Sequence, residues 1–220
     1  MSEVQIPAGR AVLAGNLAIP DGAVALVLFA HGSGSSRHSP RNQFVARTLK
    51  DAGLATLLFD LLTPEEEAID MRTRELRFNI GLLAERLVDA TRWAKQQERT
   101  RDLRLGYFGS STGAGAASVA AAEIPKDVGA VVSRGGRPDL AGDALPKVQA
   151  PTLLIVGGND DIVIELNEMA HDQMRCEVKL EIVPGATHLF EEPGALEKVA
   201  RLASDWFADH IGPGSAGRTG

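Results

Sequence analysis

The feature that most constrains this sequence is a series of short, almost wholly apolar runs bounded by turn residues. Runs of four to six residues occupy positions 25–30, 55–59, 103–108, 129–132 and 152–156. Continuous apolar runs of this length are typical of strands buried on both faces, as in a parallel sheet. In addition, we predict an antiparallel lead-in strand over residues 12–19 and a last strand over residues 177–183.

Segments with helical periodicity lie between these runs, at residues 42–51, 75–97, 112–122, 163–174 and 196–210. Because strand and helix alternate, we predict the α/β class: a mostly parallel, twisted sheet with helices on both faces. Only a short loop is expected between Ser133 and Thr152, so no lid domain is predicted. We assign residues 1–210 to one domain and expect residues 211–220 to be a disordered tail.

Net charge, cysteine count and the length of the apolar stretches disfavour several classes of partner, site and location. The net charge is −6, which argues against nucleic acid and against an anionic membrane surface, since both attract clustered Lys and Arg. Cys176 is the only cysteine, so neither an intramolecular disulfide nor a thiolate metal site is expected. The N-terminal residues lack a signal-peptide pattern, and the most apolar stretch, 23–30, is too short to span a bilayer. We therefore predict a cytoplasmic protein.

The sharpest motif is Gly109-Ser110-Ser111-Thr112-Gly113, between a predicted strand and an alanine-rich helix. A G-x-S-x-G pentapeptide in this context is typical of a nucleophile elbow, which presents the central serine hydroxyl above the sheet edge. Small residues are needed on either side because the turn is tight. The motif predicts Ser111 as a nucleophile, although such a short pattern also fits a plain glycine-rich turn.

A serine nucleophile needs a base, and the base needs an orienting acid. His188 follows the last predicted strand and is the best-placed histidine, because the fold orders its triad as serine, acid, histidine. Two neighbouring acids, Asp160 and Asp161, follow the run 152–156. We favour Asp160 as the triad acid, although either aspartate could instead cap the following helix.

The segment His31-Gly32-Ser33-Gly34 directly follows the run 25–30. Acyl transfer requires N–H donors for the oxyanion, and this fold supplies one from the residue after the nucleophile and one from such a loop. We predict the N–H groups of Thr112 and Ser33 as the oxyanion hole, with His31 in a structural role. A phosphate-binding loop is disfavoured because the lysine of a P-loop is missing.

Three further residues are candidates for substrate binding. Arg134 and Arg137 follow the run 129–132, where a guanidinium can hold a substrate carboxylate. His38 lies in the loop on the oxyanion side. For each of the three, a surface or salt-bridge role is the competing interpretation.

These motifs together resemble the dienelactone hydrolase-like branch of the α/β-hydrolases. The resemblance runs from about Val12 to Phe207 and rests on residues 31–40, 109–114, 131–138 and the segments around Asp160 and His188. Some proteins of this kind are joined to a phosphoribosyltransferase domain, which we do not expect within these 220 residues. The namesake enzymes use a cysteine nucleophile where this chain has Ser111, so the resemblance implies a serine variant that cleaves ordinary esters or thioesters.

The sequence therefore predicts a serine hydrolase acting on small carboxylic esters through an acyl-enzyme, with a small-molecule acyl substrate and no metal or organic cofactor. A thioesterase, a lactonase or a peptidase with the same triad stays open. So does a non-catalytic binding module on a hydrolase fold, although such a module is expected to have lost a triad member.

Overall fold

The computed structural model describes residues 1–213, which form one eight-stranded sheet flanked by helices. The strands are β1 (Ser2–Ala8), β2 (Ala11–Ala18), β3 (Ala25–Ala30), β4 (Ala55–Phe59), β5 (Arg104–Ser110), β6 (Val128–Arg134), β7 (Thr152–Gly157) and β8 (Val178–Val183). The helices are α1 (Pro40–Asp51), α2 (Pro64–Thr73), α3 (Ile80–Gln96), α4 (Thr112–Glu123), α5 (Asp161–Gln173) and α6 (Ala195–Ile211). Two 3₁₀ segments, Leu76–Phe78 and Pro138–Lys147, complete the described elements.

The strand order is β1-β2-β4-β3-β5-β6-β7-β8. Strands β3 to β8 run parallel, whereas β1 and β2 pair with their neighbours antiparallel. The chain leaves β3 for β4 on one side and then returns to place β5 on the other side of β3. The loops after β3 and β5 therefore diverge, and open α/β sheets bind ligands at such a switch point.

Both faces of the sheet are buried. Alternate residues of β3 belong to two separate cores: Leu26 and Leu28 pack with α3 and α4, whereas Val27 and Phe29 pack with α1 and α6. The side chains of a strand alternate between faces, so both faces must be apolar. This explains why the central strands have no polar alternation in the sequence.

The predicted class, sheet and strand positions are confirmed, with small shifts at the ends. One strand and one α-helix were missed by sequence reasoning. Strand β1 has buried alternate residues, Ile6 and Ala8, and turns into β2 at Gly9, whose φ is +60°. Helix α2 is highly charged on its surface, and a Thr63–Glu66 capping box fixes its start.

The segment between β6 and β7 holds the 3₁₀ stretch Pro138–Lys147 where a plain loop was predicted; it packs against α4. At the C-terminus, Ile211 belongs to α6 and is buried against Gly106 and Gly129, one residue beyond the predicted domain end. The rest of the predicted tail, from residue 214 onward, lies outside the described residues. Among residues 1–213, no helix has the length and apolar character needed to cross a bilayer.

Candidate active site

Ser111 stands at the junction of β5 and α4 in a backbone conformation that non-glycine residues rarely adopt. Its φ is 49° and its ψ is −125°. A conformation of this kind costs about 1–3 kcal/mol and persists only when the surroundings enforce it. The observed strain is the one a nucleophile elbow requires, and the sequence predicted it from the pentapeptide.

The glycines around Ser111 are required by close approach of the backbone. A Cβ on Gly113 would lie 2.1 Å from the carbonyl oxygen of Ala30, and one on Gly109 would lie 2.5 Å from the Cα of Ala114. A Cβ on Gly32 would lie 2.9 Å from the Cβ of Ser111. Helix α4 can therefore start directly against β3 and β5 only because these positions carry no side chain.

His188 and Asp160 meet at the carboxyl ends of β7 and β8. The Nδ1–H of His188 donates to Oδ2 of Asp160 at 2.7 Å. Asp160 is the residue before α5, but its side chain makes no capping hydrogen bond to the helix. The structure thus pairs His188 with Asp160, while Asp161 lies exposed in the first turn of α5.

Ser111 and His188 line one cavity of about 240 Å³ at this edge of the sheet. Its wall also includes Gly32 and Ser33 from the loop after β3, and Arg134 at the end of β6. Within residues 1–213 we find no direct hydrogen bond between Ser111 and His188. Catalytic hydrogen bonds are often loose before substrate binds, so their common cavity is the relevant observation.

Ser33 and Thr112 lie next to each other, joined by a contact that the sequence did not predict. The N–H of Ser33 donates to Oγ1 of Thr112 at 3.1 Å, and the two hydroxyl oxygens are 2.9 Å apart. The predicted oxyanion donor of Ser33 is therefore already engaged by the Thr112 side chain. The backbone N–H of Thr112 lies in the first turn of α4, where helical amides have no partner within the helix.

A buried ion pair supports the loop that carries Ser33. The hydroxyl of Ser33 donates to the carbonyl oxygen of Arg77 at 3.4 Å. The guanidinium of Arg77 pairs with Asp70, whose carboxylate also accepts the backbone N–H groups of Leu76 and Arg77. Burial alone would raise the pKa of Asp70, but these hydrogen bonds outweigh it and lower the pKa overall.

This support was missed by sequence reasoning. An aspartate and an arginine seven residues apart, separated by a helix end, give no periodic signal. Asp70 is 0% exposed, and only the chain reversal after α2 brings Arg77 back over it.

His31 has the hydrogen bonds of a structural residue. Its Nε2 accepts the N–H of Leu61 at 3.0 Å, and its Nδ1 lies 3.0 Å from the carbonyl oxygen of Gly32. This pattern fits the neutral ring with the proton on Nδ1. Burial lowers the pKa of His31, which favours the same neutral form.

The three candidate substrate-binding residues separate in the structure. Arg134 is buried and lines the cavity of Ser111 and His188. Arg137 does not line it, because its guanidinium is held by Asp139 through two hydrogen bonds of 2.9 and 2.8 Å. His38 is exposed on the loop before α1 and also lies outside the cavity wall. Of these three residues, the structure therefore places only Arg134 on the wall of this cavity.

Comparison with known proteins identifies the family. Residues 23–205 match the model of a family described as "Alpha/beta hydrolase domain". The chain belongs to this alpha/beta hydrolase family. The predicted resemblance to its dienelactone hydrolase-like branch is confirmed by a crystal structure of a dienelactone hydrolase from Anabaena variabilis. That hydrolase is 63% identical, with 96% of this chain and 97% of that chain covered and a TM-score of 0.94.

A solved structure of lower sequence identity shares the fold. Est1E from Butyrivibrio proteoclasticus, solved with bound ferulic acid, is 18% identical over 94% of this chain and 99% of its own, with a TM-score of 0.80.

Two curated proteins of Mycobacterium tuberculosis, strains CDC 1551 and H37Rv, are 61% identical over 98% of this chain. Each is named "Putative phosphoribosyl transferase", and this hydrolase chain matches 48% of their length, about half.

Proposed function

We propose that this protein hydrolyses small carboxylic esters through an acyl-enzyme on Ser111, with His188 as the base and Asp160 as the acid of the triad. The observation that carries the proposal is that His188, which is paired with Asp160, lines the same cavity as the strained Ser111. A serine hydroxyl is activated by a nearby base that a third group orients, and the strained turn presents this hydroxyl at the edge of the sheet.

The hydrogen bond to Asp160 determines which nitrogen of His188 acts. With the proton on Nδ1 donated to the carboxylate, Nε2 carries the free lone pair and takes the proton of the Ser111 hydroxyl. The Ser111 oxygen then attacks the ester carbonyl carbon. The Asp160 carboxylate stabilises the imidazolium that forms, and this imidazolium returns its proton to the leaving alcohol.

The negative charge of the tetrahedral intermediate develops beside the N-terminus of α4. The backbone N–H of Thr112 and the positive end of this helix would stabilise it, together with the N–H of Ser33 once that group turns from the Thr112 hydroxyl. A water activated by His188 then attacks the acyl-enzyme and releases the acid. No metal or organic cofactor enters this proposal.

The comparisons support ester hydrolysis in different degrees. The similar Anabaena protein bears the name of a hydrolase that opens a lactone, which is a cyclic ester. Est1E, at 18% identity, supports the fold alone. We assign the transferase name of the mycobacterial relatives to the part of their length that this chain does not match. The substrate is then a small acyl compound in the cytoplasm, with neither nucleic acid nor a membrane as partner.

The proposal is tested by exposing the folded protein to a fluorophosphonate probe and identifying the labelled peptide by mass spectrometry. We expect the label on Ser111 and none on the Ser111→Ala variant. A Ser204→Ala variant provides the matched control, since Ser204 lies on α6, which contributes no residue to the cavity. Folded protein that takes no label at Ser111 would overturn the proposal.

Turnover separates the enzyme from a binding module. We expect wild type to hydrolyse p-nitrophenyl acetate at least about 10³-fold faster than Ser111→Ala, as is typical when a triad nucleophile is removed. Equal rates would favour the non-catalytic module. A panel of thioesters, lactones and peptides then ranks the remaining hydrolase activities.

A further inference from the structure

The backbone that follows β6 holds Ser111 from outside its own turn. We call residues 135–137 the β6 loop. The N–H of Ser111 donates to the carbonyl oxygen of Arg134, the last residue of β6, at 3.4 Å. The carbonyl oxygen of Ser111 accepts the N–H of Arg137, at the far end of the loop, at 3.0 Å. The strained backbone of the candidate nucleophile is therefore held on both sides by one neighbouring segment.

The same loop also packs against the candidate base. Gly135 has a φ of +50°, and a Cβ there would lie 3.0 Å from the carbonyl oxygen of His188 and 3.6 Å from its Nδ1. In the described part of the chain, no hydrogen bond joins Ser111 and His188 directly. The position of the β6 loop, which contacts both residues, therefore helps to set the distance between them.

A fully buried side chain, Asn167 of α5, holds the middle of the β6 loop. Asn167 is 0% exposed. Its Nδ2 group donates to the carbonyl oxygen of Gly136 at 3.0 Å and to that of Val163, one turn earlier in α5, at 2.7 Å. Both partners can only accept hydrogen bonds, so the nitrogen of the amide and not its oxygen faces them. The amide therefore ties α5 to the loop.

Asn167 is a poor choice for the stability of α5. Its Oδ1 is buried and has no hydrogen-bond partner among residues 1–213, and an unsatisfied buried acceptor lowers stability. Asparagine also favours a helix less than leucine does. A leucine would avoid both costs but cannot donate a hydrogen bond to Gly136. This donor, and not the packing of α5, is what asparagine supplies at this position.

Helix α5 connects this contact to the triad acid. The helix begins directly after Asp160, and Asn167 lies about two turns further along it. Because a helix of this length is stiff, the amide of Asn167 relates the Asp160–His188 pair at the start of α5 to the backbone that holds Ser111. Asn167 itself lies outside the cavity wall.

We propose that Asn167 is a positioning residue for the reaction, which acts through Gly136 and the β6 loop to keep Ser111 at the distance from His188 that proton transfer requires. The inference rests on the proposed function of Ser111. It adds a residue that touches neither the substrate nor the reacting atoms. Its loss should therefore reduce the rate of the chemical step more than the binding of the ester.

The first test removes the donor while keeping a side chain of similar size. In Asn167→Leu, we expect kcat for p-nitrophenyl acetate to fall about tenfold to a hundredfold, with KM within about threefold of wild type, since a displacement of about 1 Å can lower a rate by this much. The rate of fluorophosphonate labelling at Ser111 should fall by a similar factor, because labelling uses the same proton transfer to His188.

Ala170→Gly is the matched control on the same helix. Ala170 is buried one turn beyond Asn167, in a cluster with Leu145 and Met174. Glycine weakens the helix, so the urea midpoint of unfolding should fall while kcat of the folded protein stays within about twofold of wild type. A purely structural Asn167 would behave in the same way. A folded Asn167→Leu protein with unchanged kcat would therefore overturn the inference.

Asn167→Asp tests the same contact even where Asn167→Leu fails to fold. The protonated carboxyl group has the shape of the amide and can donate its O–H to the carbonyl oxygen of Gly136, whereas the carboxylate cannot. Burial favours the protonated form. We expect the ratio of kcat in this variant to kcat in wild type to fall at least about tenfold between pH 5.5 and pH 8.5, with circular dichroism showing folded protein at both. A ratio that does not change with pH would contradict the proposed role.

These results are distinguishable from a failure of the proposed function. Wild type that labels at Ser111 and cleaves the ester, beside Asn167 variants of equal kcat, leaves the proposed function standing and removes only the role of Asn167. Wild type that neither labels nor cleaves fails the proposed function itself.

Discussion

The Nδ1 of His188 lies 2.7 Å from Oδ2 of Asp160, although 28 positions separate the two residues along the chain. Strands β7 and β8 are parallel neighbours, with Gly157 beside Val183, so the loops that follow them meet at one edge of the sheet. A Cβ on Gly157 would lie 2.5 Å from the carbonyl oxygen of Ala186, which shows how closely the two loops pack. The pair is therefore a product of strand register and close loop packing.

This geometry predicts different effects for two adjacent aspartates. Asp160→Asn keeps the shape but no longer favours the His188 tautomer with the proton on Nδ1, so we expect kcat to fall by about 10³ to 10⁴-fold. Asp161→Asn changes an exposed residue in the first turn of α5 and should alter kcat by less than about threefold. Steady-state rates with p-nitrophenyl acetate provide the measurement, and an equal loss in both variants would contradict the assignment of Asp160.

The elbow predicts a large stability effect at Gly113. An added methyl group at this position would lie 2.1 Å from the backbone oxygen of Ala30, and neither backbone segment can move without disturbing the sheet. We expect Gly113→Ala to lower the free energy of unfolding by more than about 3 kcal/mol, or to prevent folding.

Gly81→Ala is the matched control for this change. Gly81 lies in the first turn of α3, and its nearest contact for a Cβ is the Asn79 side chain at 3.6 Å. Alanine is the better helix former, so this variant should be neutral or more stable by up to about 1 kcal/mol. Urea unfolding followed by circular dichroism measures both, and a Gly113→Ala protein of wild-type stability would refute the packing argument.

The hydrogen bond from the Ser33 N–H to the Thr112 hydroxyl predicts that this hydroxyl positions the Ser33 loop. Thr112→Val keeps the side-chain shape but removes both contacts that hold the Ser33 loop to α4. We expect kcat to fall about tenfold, because a donor on a loosened loop is less well placed for the oxyanion. Thr112→Ser, which retains the hydroxyl, should keep most of the activity. A Val variant that is faster than wild type would instead mean that the hydroxyl competes with the oxyanion for this N–H.

The burial of His31 predicts that part of the free energy of unfolding is lost at acid pH. Its pKa is lowered below the ordinary value near 6.5 by burial, so the unfolded chain binds a proton at His31 more readily than the native state does. Stability from this residue is therefore fully present above about pH 6.5 and is lost as the pH falls below it, by at most about 1.4 kcal/mol per pH unit.

The measurement is the free energy of unfolding at pH 7.5 and pH 5.5 for three proteins. Wild type should lose more stability between these values than His31→Gln, in which no imidazole titrates at this position. His38→Gln makes the same change at an exposed site and should behave as wild type. An unchanged pH dependence in His31→Gln would exclude the buried imidazole as its source.

Local sequence patterns determined most of the secondary structure of this protein. Apolar runs and helical periodicity are short-range properties, so the sequence alone placed β3 to β8 and the long helices. The pentapeptide around Ser111 determined the strained turn, because glycines permit what other residues forbid. Elements without such a local signal were missed, such as α2, which buries little apolar surface and depends on its capping box.

Only the tertiary structure decided the contacts between distant segments. The packing of the loops after β7 and β8 pairs His188 with Asp160 and not with Asp161. The chain reversal after α2 pairs Arg77 with the buried Asp70. Arg134 lines the cavity, whereas Arg137 does not. Whether a charged side chain is buried or paired depends on which chain segments pack together. Contacts between residues far apart in sequence produce no periodic sequence pattern from which they could be predicted. The sequence therefore determined which chemical groups reach this edge of the sheet, and the packing of the loops decided how they are paired there.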